Sequence, residues 1–421
     1  MESKNLCTND LQFSFKADSS TTMCTTMIRE TISYFVNKDS NVYGLVLDAT
    51  KAFDRINYCK LFRILLERNI NPLICRLLLN MYTNQKLRVK WANEFSSEFS
   101  VSNGVKQGGV ISPILFCVYM DGLISELISS NVGCFMGRVY AGVFMFADDL
   151  KLLAPSVHAL NIMLNICINY AARFDVQFND KSQLIIFKSR NVNVPTPDIS
   201  INGTKLDDVN HINHLGHILN DNIFKLDSSK YVRDFYAQLN SFLSDFKVLG
   251  SDMRNHLFSK YCTAFYGTQL LPVYDKKTMN GLYVAWRIAM RRVWRVPWNT
   301  HNNMLPILAG VLPPNLCFDK RAIHFCNKLL KSKNKTVNMI TGMAICGSHS
   351  ILGQNIKYLS YKYKLNTNEV NKCWIKECHE QKELLRLCEQ VKELCMLRDS
   401  PHDDVLTRYE AQEIINVLCT E

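Results

Sequence analysis

Proline and glycine are scarce in this chain, 11 and 17 of 421 residues, which excludes collagen-like order. With 47% apolar against 21% charged residues, the composition also excludes a disordered polyelectrolyte and leaves a globular protein long enough for two or three domains. No uninterrupted run of about 18 apolar residues occurs, and the first thirty residues lack the charged-then-apolar order of a secretory signal. Neither a membrane span nor export is expected, and an intracellular setting is. The 16 cysteines lack the paired spacing of a zinc site: Cys346, His349, Cys373, Cys378 and His379 include no Cys-x-x-Cys. Cys75, Cys117, Cys167, Cys388 and Cys395 fall in apolar helical stretches, so reduced core thiols are expected rather than a disulfide framework. Acids are nearly missing from one stretch. Between Lys276 and Lys335 stand 12 Lys or Arg and a single acid, Asp319, so this stretch alone accounts for the net charge of +11. A band of this kind, rather than a diffuse excess, suits a polyphosphate backbone.

What is present is an alternation of short apolar runs and helical periods. Residues 42–48 end an apolar run in Asp48 and predict a buried strand that delivers a carboxylate to a sheet edge. Tyr58, Leu61, Phe62, Leu65 and Leu66 follow at helical spacing, with Asn57 as cap. Pro72 opens a second helix carrying Leu73, Ile74, Leu77, Leu78 and Met81 on its apolar face. The period then changes to two. Leu87, Val89 and Trp91 alternate with Lys86, Arg88 and Lys90, so a strand there presents three cations on one face, either to a template or to solvent.

Ser112-Pro113 begins a helix to Leu127, and two apolar segments within Val143 to Leu153 flank Asp148-Asp149, predicting a hairpin with acids at its tip. A helix over 157–174, a strand over 184–188 and a hairpin at Ile199 to Thr204 complete an α+β layer, an antiparallel sheet with packed helices. Beyond 222 the pattern is wholly helical. The expected domains are a residual segment 1–41, the sheet domain 42–222, a helical domain 223–300 and a helical region 301–421. Its last amphipathic helix, through Leu384, Cys388, Val391 and Cys395, is expected to pack on its own domain.

Carboxylates beside apolar strands are costly unless cations or metals offset them. Adjacent strands would bring Asp48 and Asp148 together as an oxygen-rich site for Mg²⁺. Adjacent residues of a regular strand face opposite ways, so Asp148 and Asp149 share that site only if the chain turns there. On pattern alone, a paired Asp is equally a solvated turn or a helix cap.

Three segments carry a family resemblance. Leu47-Asp48-Ala49-Thr50-Lys51-Ala52-Phe53-Asp54 resembles the first catalytic motif of non-LTR (LINE-type) retrotransposon reverse transcriptases. Gly104-Val105-Lys106-Gln107-Gly108-Gly109-Val110-Ile111-Ser112-Pro113 is similar to their template-and-nucleotide motif, and Phe146-Ala147-Asp148-Asp149 to their central acidic motif. Gln12 to Lys16 with Ser19 to Thr22, Asn179 to Ser182, and His214-Leu215-Gly216 extend the likeness over about residues 11–222, and Val293 to His301 resembles the segment after the thumb. The family fold is a right-hand polymerase palm followed by a helical thumb.

The resemblance implies an RNA-directed DNA polymerase that adds deoxynucleoside triphosphates to a DNA primer on an RNA template, in the nucleus, with two Mg²⁺ ions or Mn²⁺. By position, Asp48, Asp148 and Asp149 would be catalytic and hold the metals. Phe53 would lie under the incoming sugar and exclude a 2′-hydroxyl. Gln107 and Gly108 would meet nucleotide or template, and Lys181 the pyrophosphate. Asp54 would brace the following helix.

In the basic band, Arg287, Arg291 and Arg295 recur every four residues, with Arg292 beside them, while Trp286, Met290, Val293 and Trp294 fall on another face. That arrangement is read as one packed side and one side tracking phosphates. The chain departs from the family in three ways. It begins near the end of the fingers, so truncation is expected, with Lys16 and Lys51 as the basic residues left near the triphosphate. Asn179 and Lys181 are one residue closer than in Asn-x-x-Lys. No endonuclease domain is read on either side, so independent retrotransposition is not expected. The alternatives are a truncated, catalytically dead remnant that only binds nucleic acid, and an intron-encoded maturase.

Overall fold

The structure is a computed structural model that describes residues 6–179, 181–189, 197–201, 203–224, 228–263, 265–346 and 350–363. The elements that build the sheet region are α1 (Thr21–Val36), β1 (Val42–Leu47), α2 (Tyr58–Glu67), α3 (Pro72–Thr83), β2 (Lys86–Leu87), β3 (Lys90–Trp91), β4 (Glu94–Phe95) and β5 (Phe99–Ser100). They continue as α4 (Ser112–Ser129), β6 (Phe135–Met136), β7 (Val139–Tyr140), β8 (Val143–Phe146), β9 (Asp149–Ala154), α5 (Val157–Phe174) and β10 (Gln183–Phe187). Two small hairpins follow, β11 (Ser200–Ile201) with β12 (Thr204–Lys205), and β13 (His211–His214) with β14 (His217–Asn220). The rest is helical: α6 (Ser229–Asp245), α7 (Ser251–Tyr261), α8 (Lys276–Trp294), α9 (Met304–Ala309), α10 (Pro314–Leu330), α11 (Lys335–Cys346) and α12 (Ile351–Tyr363).

The central sheet runs in the order β10-β1-β9-β8 and is antiparallel throughout. Apart from Lys151, the buried positions of its strands are apolar, and both faces are covered: α1 packs on β8 and β1, and α5 on β9 and β1. Local chemistry sets the ends of these helices. Ser20, Asn57, Asn71 and Ser156 each accept a main-chain N–H of the first turn, at α1, α2, α3 and α5, which offsets donors that would otherwise have no partner. Helix α4 passes the length and apolarity test for a membrane span, and 61% of it is buried inside the protein; it is a core helix, with Leu115, Phe116, Tyr119, Leu123 and Leu127 at most 1% exposed.

The chain divides into two compact units that do not follow linear boundaries at 222 and 300. One holds the described residues up to 234 together with Phe265–Leu282 and those from 318 onward; the other holds 235–263 and Tyr283–Cys317. In the second unit, Phe235, Leu239, Phe242, Phe258, Trp286, Ala289, Met290 and Val293 are buried, and Phe258 takes Phe235 and Phe242 edge-on at 6.2 and 5.8 Å.

Two expectations are corrected. Helix α3 buries Cys75, Leu78 and Tyr82, and leaves Leu73, Leu77 and Met81 between 60 and 71% exposed. Its residues are apolar nearly all round, so periodicity could not choose the inward face. The cation-bearing strand is two short pieces broken at Arg88 and Val89, and Lys86 and Arg88 both pair with Glu98 across the hairpin. The predicted turn after Ile201 has Asn202 outside the described residues, though β11 and β12 pair across it. The helix through Leu384 to Cys395, and His349, Cys373, Cys378 and His379, also lie outside them.

Gly104 and Gly108 separate two effects of a left-handed backbone. At Gly104 φ is +87° and an added Cβ would lie 2.8 Å from the Cα and the carbonyl oxygen of Asp54; at Gly108 φ is +79° with nothing within 4 Å. Gly104→Ala is therefore expected to lower unfolding free energy by about 3 kcal/mol or more, and Gly108→Ala by about 1 kcal/mol. Urea denaturation of both variants checks this; equal losses would show that the backbone of Asp54 yields.

Candidate active site

The hairpin β8–β9 is closed by two residues, Ala147 and Asp148, between the pair Phe146 and Asp149. The turn needs a positive φ at its first position, and Ala147 supplies +56°, a conformation that costs an L-residue on the order of 1 kcal/mol. Contacts from the N-terminal segment offset that cost. The Ala147 N–H donates to Ser14 Oγ at 2.9 Å and to Gln12 Oε1 at 3.2 Å, and Gln12 Oε1 also accepts from the N–H and hydroxyl of Ser14. Gln12 and Ser14 are 0 and 1% exposed. Residues 11–13 run beside β8, with Phe13 N–H donating to Met145 O and Met145 N–H to Leu11 O. The acidic turn is thus built on a buried polar cluster more than 130 residues upstream.

Asp48 follows β1 directly. The β1–β9 register pairs Leu47 with Leu150, so one step further sets Asp48 opposite Asp149. Its carboxylate accepts from Asn179 Nδ2 at 2.7 Å, its carbonyl accepts from Asn179 N–H at 3.0 Å, and its own N–H meets Ser182 Oγ at 3.4 Å. Asp148, half-buried, has a pKa raised above the usual carboxylate value by burial first and then by the charges of Asp149 and Asp48. Asp148 and Asp48 are therefore close enough to feel one another. Asp149 is held differently: its Oδ1 accepts from the Lys151 ammonium, and His214 Nε2 lies 3.8 Å from Oδ2. Burial lowers the pKa of Lys151, and Asp149 opposes that shift. Burial, then Lys151 and His217, hold His214 well below the ordinary histidine value, so its ring is neutral.

The nucleotide side is assembled from two segments. Gly104 N–H donates to Ile56 O and Val105 N–H to Phe53 O, which lays the glycine-rich loop against the 3-10 turn Ala52–Arg55. Phe53 is partly buried and stacks on Phe116 with ring centres 4.4 Å apart. Gln107 is exposed and its amide donates to Asp54 Oδ1 at 3.3 Å, and Gly108 beside it is exposed. Lys181 is exposed, its main-chain N–H held by Asn179 Oδ1 at 3.0 Å. Lys51 is exposed, but Lys16 is not available as a phosphate contact: its ammonium donates to the carbonyls of Thr8 and Asn9.

The β13–β14 turn is Leu215-Gly216, both left-handed at +49° and +82°. Tyr266 Oη donates to Leu215 O at 2.7 Å and Lys230 Nζ to Gly216 O at 2.6 Å, while the buried His217 ring stacks on Tyr266 at 4.8 Å. No sequence signal at Tyr266 or Lys230 points to this.

The basic residues do not behave as one band. Lys276, Lys277, Lys320, Arg321, Lys328, Lys331, Lys333 and Lys335 belong to the first unit; Arg287, Arg291, Arg292 and Arg295 belong to the second. On α8 the outward ridge passes through Val284, Ile288 and Arg292, with Arg287 and Arg291 only partly exposed. Arg291 donates to Thr300 O and Asn302 Oδ1, Arg292 to Asn240 Oδ1, and Arg295 to Lys247 O. The expected free cationic face is partly spent on holding loops, although the buried positions Trp286, Met290, Val293 and Trp294 are as expected.

A buried antiparallel sheet that brings acids from a strand end and a hairpin turn to one edge, beside a glycine-rich loop, is the palm of a nucleotide-polymerising protein. The chain belongs to the reverse transcriptase (RNA-dependent DNA polymerase) family, whose sequence profile matches residues 5–219. It is 30% identical over 128 residues to the Pol polyprotein of the R2 retrotransposable element of Nasonia vitripennis, which is 30% of this chain and 12% of that one. To the RNA-directed DNA polymerase of the mobile element jockey from Drosophila funebris it is 23% identical over 265 residues, 60% of this chain and 28% of the relative. These relatives are polymerases of non-LTR elements, and the chain spans between 12 and 28% of their length. Among solved structures, telomerase from Candida albicans, in complex with a fragment of telomeric RNA, aligns with 79% of this chain and 54% of its own at TM-score 0.38 and 16% identity.

The family generally uses divalent metal ions. Among the described residues no three Asp, Glu, His or Cys side chains are grouped closely enough to hold one. Asp48 and Asp148 nevertheless supply hard oxygen donors, and Mg²⁺ is usually held by one or two carboxylates with the rest of its shell left to water and substrate phosphates. The donor chemistry fits.

The raised pKa of Asp148 has a consequence for stability. Relative to the unfolded chain the fold favours the neutral form, so this contribution is fully present below the unfolded pKa and lost as pH rises through the raised folded one. Asp148→Asn removes the loss at neutral pH and is expected to raise the melting temperature by about 2–4 °C at pH 8. The gain should vanish in acid, where Asp148 is itself neutral. Melts across the pH range check it; a destabilised variant at pH 8 would show that Asp148 is instead paired.

Proposed function

We propose that the chain is the polymerase core of a non-LTR element and copies RNA into DNA, adding deoxynucleotides to a DNA primer. The observation that supports this most directly is the convergence of acids at one end of the sheet, where the β1–β9 register sets Asp48, just after β1, beside the β8–β9 turn that carries Asp148. In this reading Asp48 and Asp148 hold Mg²⁺, or Mn²⁺ in its place. Bound there, the ions would supply a lower pKa for the primer hydroxyl and charge stabilisation for the leaving pyrophosphate.

The chain's own residues position the reactants. Asn179 and Ser182 fix Asp48, and Gln12 and Ser14 fix the turn that carries Asp148, so the carboxylates need not reorganise as charge develops. Phe53, backed by Phe116, offers an apolar ring face to the sugar, where a 2′-hydroxyl would lose its hydration. Gln107 and Gly108 contact nucleotide or template, and Asp54 holds Gln107 in the absence of substrate. Lys181 is exposed and suited to neutralise pyrophosphate. In the second unit, Arg292 and Arg295 present charge to a phosphate backbone, with Arg287 and Arg291 adding to the local field.

The reading is tested by primer extension on poly(rA)·oligo(dT) with Mg²⁺. Asp148→Ala is expected to lower the rate by at least about a thousandfold, because several kcal/mol of charge stabilisation would be lost. An Asp148→Ala variant as fast as wild type would overturn the assignment. Failure of both to extend, with salt-sensitive duplex binding retained, would leave a nucleic-acid-binding remnant. Phe53→Ala is expected to raise ribonucleotide incorporation relative to deoxynucleotide by about tenfold or more, read from competitive extension; an unchanged ratio would make Phe53 only a packing partner of Phe116.

A further inference from the structure

A lysine stands in the middle of the sheet. Lys151 lies on β9, flanked by Val46 of β1 and Phe144 of β8, and is 3% exposed. Strand alternation places it on the same face as Asp149, two residues earlier, and its ammonium is bonded to Asp149 Oδ1. Asp48 also bears on this ammonium by its charge, while the side chains packed nearest to it are neutral. His214 is 0% exposed with Nδ1 at 2.9 Å from Thr25 Oγ1, and Cys24 on α1 is a buried thiol.

The other two acids are differently placed. Asp48 accepts from the neutral amide of Asn179, and no ion pair is formed by Asp48 or Asp148 among the described residues. One carboxylate of the three thus carries its cation within the fold, and two do not. A buried ammonium cannot simply release its counter-ion, since breaking such a pair from one side costs about 3–5 kcal/mol. A metal ion competing for Asp149 would have to meet that cost, whereas at Asp48 and Asp148 it would relieve repulsion.

We propose that Lys151 is a positioning residue that keeps Asp149 as its own counter-ion, so that the divalent cation is bound by Asp48 and Asp148 without a bond from Asp149. This rests on the polymerase reading above for Asp48 and Asp148, and assigns Asp149 a different part within it. Asp149 then anchors the first residue of β9 and contributes field to the site, with the pair as a whole neutral.

The test is Mn²⁺ binding to the full chain, followed by electron paramagnetic resonance without nucleotide or primer. Variants are Asp148→Asn, Lys151→Met, and the double variant Asp149→Leu with Lys151→Met, which replaces the buried pair by apolar groups and leaves neither charge stranded. Asp148→Asn is expected to weaken Mn²⁺ about thirtyfold or more, and the double variant to stay within about threefold of wild type. Lys151→Met, which frees Asp149, is expected to bind Mn²⁺ about tenfold more tightly. If the double variant loses Mn²⁺ as fully as Asp148→Asn does, Asp149 is a ligand and the proposal is overturned while the polymerase reading stands. Unchanged Mn²⁺ binding in Asp148→Asn would overturn the metal reading, and the proposal with it. Should Lys151→Met fail to fold, the double variant alone decides.

Discussion

Like charges at the end of an apolar sheet are the constraint on which the rest of this structure depends. Three carboxylates within one hairpin tip and one strand end repel each other and lose hydration, and a fold can keep them only by offsetting each separately. Asp48 is offset by the Asn179 amide and Asp149 by the Lys151 ammonium, while burial, followed by the charges of Asp149 and Asp48, raises the pKa of Asp148. The acid with the least support is the one at the turn, where water and incoming ligands have access. Of the three acids, only Asp149 has a counter-ion among the described residues, so the charges of Asp48 and Asp148 stand without one.

The same constraint explains why distant segments converge here. The turn through Ala147 is strained, and the donors that hold it come from Gln12 and Ser14. The second hairpin near the sheet, at Leu215-Gly216, is likewise held by residues outside its own strands, Lys230 and Tyr266. In both places a short turn with left-handed residues receives its hydrogen bonds from elsewhere in the unit. Each turn is thereby fixed in position as well as in shape. The buried Arg29 and Glu30 of α1 do comparable work away from the site: Arg29 donates to Leu270 O and Glu30 accepts from the first turn of α12. Helix α1 therefore ties the sheet to the chain's later segments through hydrogen bonds from charged side chains to main-chain groups, as well as through apolar contact.

Much of this was legible in the sequence, and the illegible part has a common cause. The strand ending in Asp48, the acidic hairpin, the helix over 157–174 and the Asn57 cap were readable because each depends on residues within a few positions. The family motifs then identified which acids share an edge. What could not be read was any choice made by distant packing. Helix α3 has two apolar faces, and only its neighbours decide that Cys75, Leu78 and Tyr82 go inward. Lys151 sits in the run Leu-Lys-Leu-Leu, where a lysine suggests a solvated face; its burial follows from strands on both sides and from α1, which packs over β8 and β1 and carries Cys24 and Thr25. Lys16 looked like a free cation, and its bonds to Thr8 and Asn9 become evident only once the N-terminal segment is folded back.

The basic stretch shows the limit of a linear charge count most directly. Twelve cations against one acid in sixty residues suggested a single surface, yet the folded chain assigns them to two units, and arginines that look equivalent by spacing differ in what they touch. Hydrogen bonding to a carbonyl does not remove an arginine's charge, so Arg291 and Arg295 still add to the field that draws a polyanion. What they lose is freedom to turn toward a particular phosphate. In the proposed reading, attraction at a distance depends on all four arginines of α8 and its end, whereas close contact depends on how many of their donors remain after Thr300, Asn302, Asn240 and Lys247 have been served. A guanidinium has five donors, so a bond or two to the protein orients the group and leaves the others for a phosphate. The loops on which these arginines are spent are in that sense the supports of the cationic surface.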